Sequence, residues 1–172
     1  MWIKCAPFNE TLNQNACSFS YGIVFLGHNH SNTRMKFTRK ASAQWKGSGK
    51  EGKGTLTTAS TVLNNTAYSF STRFENEKGT NPEELIGAAH AGCFAMQLSF
   101  LLNEAGYTAD TLDVSATVLF EDGNITTVTL DLQGSVPNIS ETEFNTIANK
   151  AKEICPISKV LKAEKVLNIT LN

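Results

Sequence analysis

No excess charge of one sign marks this chain. Fifteen lysines and arginines stand against sixteen aspartates and glutamates, for a net charge of −1 over 172 residues. That balance argues against nucleic acid as the main partner, because phosphate recognition needs a basic surface. No segment reads as the ~20 consecutive apolar residues of a membrane span. The apolar run around Cys93 contains His90, Gln97 and Ser99 and reads as a core helix. Cysteine is sparse, with four residues and no CxxC pair, which argues against a structural zinc site or a thioredoxin-type motif. Arginine is scarcer still: Arg34, Arg39 and Arg73 are the only three. Internal repeats and linkers are absent. With no export signal, the expected compartment is the cytoplasm, where a permanent disulfide is not expected.

What is present is a globular balance, 41% hydrophobic and 18% charged, on a chain long enough for one domain. Residues 1–34 lack periodicity and read as a disordered N-terminal extension. Cys5 and Cys17 lie there, as does the "HNH" of His28 to His30, an incidental HxH rather than a metal site. The folded domain is expected to span residues 35–172.

Within that domain "FTRKASAQW" (37–45), "TLTTASTVL" (55–63) and "AYSFSTRF" (67–74) carry the alternation of strands. "GSGKEGKG" between the first two contains GxGxxG. It opens no helix, and Gly54 stands where a phosphate loop needs Ser or Thr, so it reads as a hairpin loop. Asn81 as N-cap, Pro82 at the first position and Glu84 at the capping-box position open a central helix. Gly106 stops it. That helix is apolar on every side and must be covered on every side. Its small residues Gly87, Ala88, Ala89, Ala91 and Gly92 would admit a second helix, so a partner chain is expected there. "LDVSATVLF" (112–120) and "VTLDLQ" (128–133) form a hairpin across "EDGN". A second helix follows the capping box "SETE", with Phe144, Ile147, Ala148, Ala151 and Cys155 on one stripe, and Pro156 ends it. A last strand, "VLNITL", makes the class α+β.

The chemistry turns on Cys93. A cysteine in an apolar helix is ordinarily inert core, with its pKa raised by burial. A reactive thiol needs a nearby cation, and Cys93 lies too far along its helix for the N-terminal dipole to serve. Arg73, in "TRFE" at the end of the third strand, is the natural cation, with Glu83 able to hold it. Glu83 and Cys93 are ten residues apart, about 15 Å along a straight helix. One arginine within one chain would not touch both, so a shared site would need a second subunit. His90, one turn before Cys93, is either a Cys-His partner or a satisfied core histidine. Cys155, at a helix C-terminus, is a poor first nucleophile but suits a second thiol condensing with an oxidised one.

"TRFENEKGTNPEELIGAAHAGCFAMQLSF", together with "AKEICPISKVLKAE", resembles the OsmC family of osmotically induced peroxidases. The related organic hydroperoxide resistance proteins share the overall plan. The resemblance runs from about Phe37 to the end. It implies an intertwined homodimer in which antiparallel sheets pack around long buried central helices, with active sites at the interface. It also implies a thiol peroxidase acting on organic hydroperoxides in preference to hydrogen peroxide. Cys93 would be the peroxidatic cysteine, Cys155 the resolving one, and Arg73 and Glu83 the polar pair. A Cys93–Cys155 disulfide would form in turnover and be reduced by an external dithiol, of the lipoyl type by resemblance. No cofactor or metal is implied. Phe94 and Met96 would supply apolar surroundings for an organic substrate. The rivals are a Cys-His-acid hydrolase built on Cys93, His90 and Glu83, and a non-catalytic dimer whose cysteines are core.

Overall fold

A computed structural model describes residues 36–75 and 77–172. The chain divides into two units, Met1–Phe37 and Thr38–Asn172, and the fold described below is that of the second. The expected extension over residues 1–34, with Cys5, Cys17, His28 and His30, lies outside the described residues.

The unit begins with an antiparallel meander, β1 (Ala41–Lys46), β2 (Lys53–Thr58) and β3 (Thr66–Ser69). "GSGKEG" is the β1–β2 hairpin loop, as its lack of a following helix predicts. A side chain at Gly52 would run into the carbonyls of Lys46 and Ser48, so glycine there closes the turn rather than cradling a phosphate. All three strands are shorter than their alternation suggests, and β1 begins only at Ala41. β2 stops at Thr58, whose backbone N–H donates to Leu63 O across a loop with Thr61 and Asn65 at positive φ. β3 stops at Ser69, and "FSTRF" turns into a short helix, α1 (Phe70–Phe74). Ser69 Oγ accepts from Thr72 N–H at 3.1 Å while Thr72 Oγ1 accepts from Ser69 N–H at 2.9 Å. This reciprocal cap outweighs the strand pattern. Arg73 is therefore helical and does not end a strand.

The long helix α2 (Pro82–Glu104) starts as its signals predict, with Asn81 Oδ1 accepting from Glu84 N–H at 2.8 Å. It ends in paired reverse bonds, Tyr107 N–H to Leu102 O and Gly106 N–H to Asn103 O. Gly106 sits at φ +89, the left-handed position such an ending requires. Contrary to the sequence expectation, α2 meets the length and apolarity of a membrane span, at 23 residues and a mean hydropathy of 1.6. Its packing distinguishes it. Phe94, Leu98 and Leu102 are fully buried against β5 (Asn124–Ser135) and α3 (Glu141–Ile154), and Gly87 lies against Ala116 of β4 (Thr111–Glu121).

β4 and β5 pair antiparallel through a two-residue turn, Asp122-Gly123, both at positive φ. β6 (Glu164–Leu171) adds to β5 in parallel, so this sheet is mixed. Parallel addition needs a crossover, which α3 and α4 (Pro156–Val160) supply. α3 buries Phe144, Ala148 and Ala151, the predicted stripe, after a cap in which Ser140 Oγ accepts from Glu143 N–H. Pro156 ends α3 and also opens α4, a helix the sequence did not disclose; proline at a first helical position loses no bond.

One face of α2 stays open. Ala88, Gly92, Met96 and Phe100 form an exposed stripe at four-residue spacing, with Met96 61% and Phe100 59% exposed. Among the predicted small residues, Gly87 serves the sheet while Ala88, Ala89 and Gly92 face outward.

Candidate active site

Cys93 and Cys155 meet in the core of this unit. Their Sγ atoms are 3.0 Å apart and both thiols are free. A disulfide is ~2.05 Å long, so bond formation requires closure by about 1 Å. Cys155 is fully buried at the corner between α3 and α4, and Cys93 is half-buried on α2. Burial pushes the Cys93 thiol above its ordinary range, and the hydrogen bond and charge of Cys155 act the same way. Opposing them is a hydrogen bond from the Ile157 backbone N–H. Among the described residues no cation contributes.

Arg73, the expected cation, is committed elsewhere. Its Nε lies 3.0 Å from both Glu83 carboxylate oxygens and its Nη2 also bonds Oε1. The first turn of α2 thereby anchors α1. Partial burial alone would raise the Glu83 carboxyl. The Arg73 hydrogen bonds, a backbone N–H and the guanidinium charge outweigh it and hold the carboxyl below its usual range. The guanidinium carbon also lies 5.0 Å from the Phe74 ring centroid and 5.2 Å from that of Phe120. A bulge between Leu119 and Phe120 breaks the alternation of β4 and leaves both side chains exposed. A cavity of about 410 Å³ opens beside this pair, lined by Arg73, Glu83, Ile86, Phe120 and Leu161 among others. Neither cysteine lines it. Within one chain the four predicted residues thus form two groups, Arg73 with Glu83 and Cys93 with Cys155. Among the described residues no hydrogen bond or ion pair joins Arg73 to Cys93.

His90 is fully buried, and its Nε2 is 2.7 Å from Ser158 Oγ. Nδ1 has no hydrogen-bond partner among the described residues. Burial first, then the Lys165 charge, lowers its pKa, so the imidazole is neutral. Phe94 faces the core and cannot line a substrate site, whereas Met96 lies on the open stripe. Among the described residues no cluster of metal-ligating side chains occurs.

A family profile described as OsmC-like protein matches residues 75–170, which include Glu83, Cys93 and Cys155 and stop two residues short of Arg73. The Peroxiredoxin OsmC of Escherichia coli K12 is 50% identical over 141 residues, 80% of this chain and 99% of that protein. The chain belongs to the OsmC-like family. A more distant relative, the organic hydroperoxide resistance protein OhrA of Bacillus subtilis, is 33% identical over 100 residues, 55% of this chain and 67% of that protein. Among solved structures, an organic hydroperoxide resistance protein from Elizabethkingia anophelis superposes with a TM-score of 0.60 at 22% identity, covering 81% of this chain and 99% of that one. An OsmC-like protein of unknown function from Vibrio cholerae gives 0.62 at 17% identity, covering 78% and 100%. These two likenesses establish the OsmC-like α+β fold.

Sequence reasoning missed three parts of the site. Phe120 and the Ile157 N–H carry no signal of their own, because a bulge and an unforeseen helix place them. Ser158 stands inside the quoted "ICPIS", but nothing local assigns its hydroxyl to a histidine 68 residues away.

Proposed function

We propose that this OsmC-like chain is a thiol-dependent peroxidase that reduces organic hydroperoxides, with Cys93 as peroxidatic and Cys155 as resolving cysteine. The observation that carries the assignment is the 3.0 Å approach of two free thiols from distant elements, one half-buried and one fully buried. The Cys93 thiolate attacks the terminal peroxide oxygen. The O–O bond breaks, the alcohol leaves with a proton, and Cys93 becomes a sulfenic acid. The Cys155 sulfur then bonds to Cys93, water leaves, and an external dithiol, the lipoyl type suiting two adjacent sulfurs, restores both thiols. No cofactor takes part.

Burial raises the Cys93 pKa in one chain, and a nearby cation would favour its thiolate. A homodimer would supply one. A second copy on the Ala88–Gly92–Met96–Phe100 stripe would cover α2 and bring an Arg73–Glu83 pair to the thiols. Arg73 Nη1, which takes no part in the Glu83 pair, would then serve the thiolate and the peroxide. Ile86, Phe120 and Leu161 give that pair an apolar flank, which favours alkyl and aryl hydroperoxides over hydrogen peroxide. A cytoplasmic, reducing setting keeps both thiols available. The Cys-His hydrolase has less behind it, since His90 Nε2 addresses Ser158 rather than Cys93.

Stopped-flow reaction of the reduced protein with cumene hydroperoxide, followed by intact mass, tests the proposal. Fast loss of two thiols with a Cys93–Cys155 disulfide, absent in Cys155→Ser, is expected. Survival of both thiols under a modest peroxide excess at neutral pH would overturn it.

A further inference from the structure

His90 is a puzzle that core packing alone does not explain. An apolar side chain of similar volume would fill the same space without leaving Nδ1 buried and unpartnered. Instead the imidazole reaches from α2 to α4 and bonds the buried Ser158 hydroxyl at 2.7 Å. Both residues stand one helical turn from a reacting sulfur, His90 three residues before Cys93 and Ser158 three residues after Cys155.

The corner between them is stiff. The Cys155 backbone N–H closes α3 on Ala151 O at 2.9 Å, and its carbonyl accepts the Lys159 N–H of α4 at 3.0 Å. Moving Ser158 therefore moves Cys155. Yet α4 has only five residues, Lys159 and Val160 face outward, and Ile157 is its one apolar side chain packed against the core.

We infer that His90, acting through Ser158, is a positioning pair for the resolving step: it holds the α3–α4 corner on α2 so that Cys155 stands over the Cys93 sulfur. The inference rests on the peroxidase reading above. In that step the Cys155 sulfur bonds to the sulfenic sulfur of Cys93. The S–O bond breaks, and the hydroxyl leaves as water with the Cys155 proton. Peroxide attack uses the Cys93 sulfur on α2 and a substrate from solution, and does not involve Cys155. Losing the His90–Ser158 bond slows disulfide closure and spares the first step. A displacement of about 1 Å at a reacting atom costs on the order of a hundredfold in rate.

The experiment is a single turnover of the reduced full chain with cumene hydroperoxide, reading peroxide loss, dimedone-trapped sulfenic acid and disulfide by quenched mass spectrometry. Ser158→Ala is expected to consume peroxide like the parent but to close the disulfide about ten- to a hundredfold more slowly. Sulfenic acid then accumulates, with sulfinic acid at excess peroxide. Ser158→Thr, which keeps the hydroxyl, restores fast closure. Unchanged closure in folded Ser158→Ala, or an equal fall in both steps, overturns the inference. Should Ser158→Ala not fold, His90→Leu and His90→Gln give the same contrast. The leucine fills the space without a hydrogen bond and is expected to slow closure alone. The glutamine amide can still reach Ser158 and is expected to close fast; equal closure rates overturn the inference. A parent protein that leaves peroxide untouched overturns the peroxidase reading instead, a result separate from any of these.

Discussion

The two halves of the Thr38–Asn172 unit bury themselves to very different degrees. Around α2, β5 and α3 the side chains of Phe94, Leu98, Leu130 and Phe144 are completely enclosed. In the β1–β3 meander every residue of β1 is exposed, and Trp45 and Val62 show large apolar surfaces. One chain thus encloses the inner face of the region that holds the thiols, and leaves open the meander and the Ala88–Phe100 face of α2. The polar groups divide the same way: the sulfurs meet within one chain, while the Arg73 guanidinium pairs with Glu83.

Stability mutants put the largest strain on that contrast. Leu98→Ala removes a fully buried side chain and is expected to lower unfolding free energy by about 2–5 kcal/mol, read as a fall in denaturant midpoint. Val62→Ala in the meander, at an exposed position, is expected to stay within about 0.5 kcal/mol. Comparable losses at the two positions would mean that the meander is as well packed in solution as the core.

The next effect is on the thiol. In one chain the Cys93 pKa lies above its ordinary range, so its thiolate is scarce at neutral pH and grows only as pH rises. If a second copy supplies Arg73, the pH profile of Cys93 alkylation in the parent should have its midpoint below the free-cysteine value of about 8.5. Met96→Glu with Phe100→Glu, on the open stripe, should weaken association by sedimentation and move the midpoint upward by about one unit or more. A parent midpoint above 8.5 that these exchanges leave in place would end the idea that assembly activates the thiol.

The smallest effect concerns Glu83. Its folded pKa lies below its unfolded value, so its contribution to stability is present above the unfolded pKa of about 4.3 and disappears as pH falls through the folded value. Glu83→Gln is therefore expected to be less stable by at most about 1 kcal/mol at pH 7, the pair being partly exposed. The difference from the parent should shrink on acidification below pH ~4. A gap that persists at acid pH would place the effect of Glu83 in packing rather than charge.

Local rules were legible wherever a short stretch carried its own physical cause. Asn81-Pro82, Ser140 and Gly106 mark helix ends because each satisfies or spares backbone groups within a few residues. Asp122-Gly123 marks a hairpin for the same local reason. The failures were local too, at Ser69 and Thr58, where hydroxyls and loop bonds overrode an alternating pattern that alone read as strand. α4 escaped notice because proline signals an ending and a beginning alike.

From the sequence alone, then, came the class, the main elements, the four candidate residues and the demand of α2 for cover on every face. The class, the elements and the demand for cover follow from composition, capping and periodicity, which act over a few residues, whereas the roles of the four residues follow from the resemblance to the OsmC family. Tertiary structure alone decided which of the four residues meet and how the sulfurs are held. Those contacts join positions tens of residues apart, Cys93 to Cys155 and His90 to Ser158. Their distances depend on how α2, α3 and α4 cross, a result of packing that no local signal encodes.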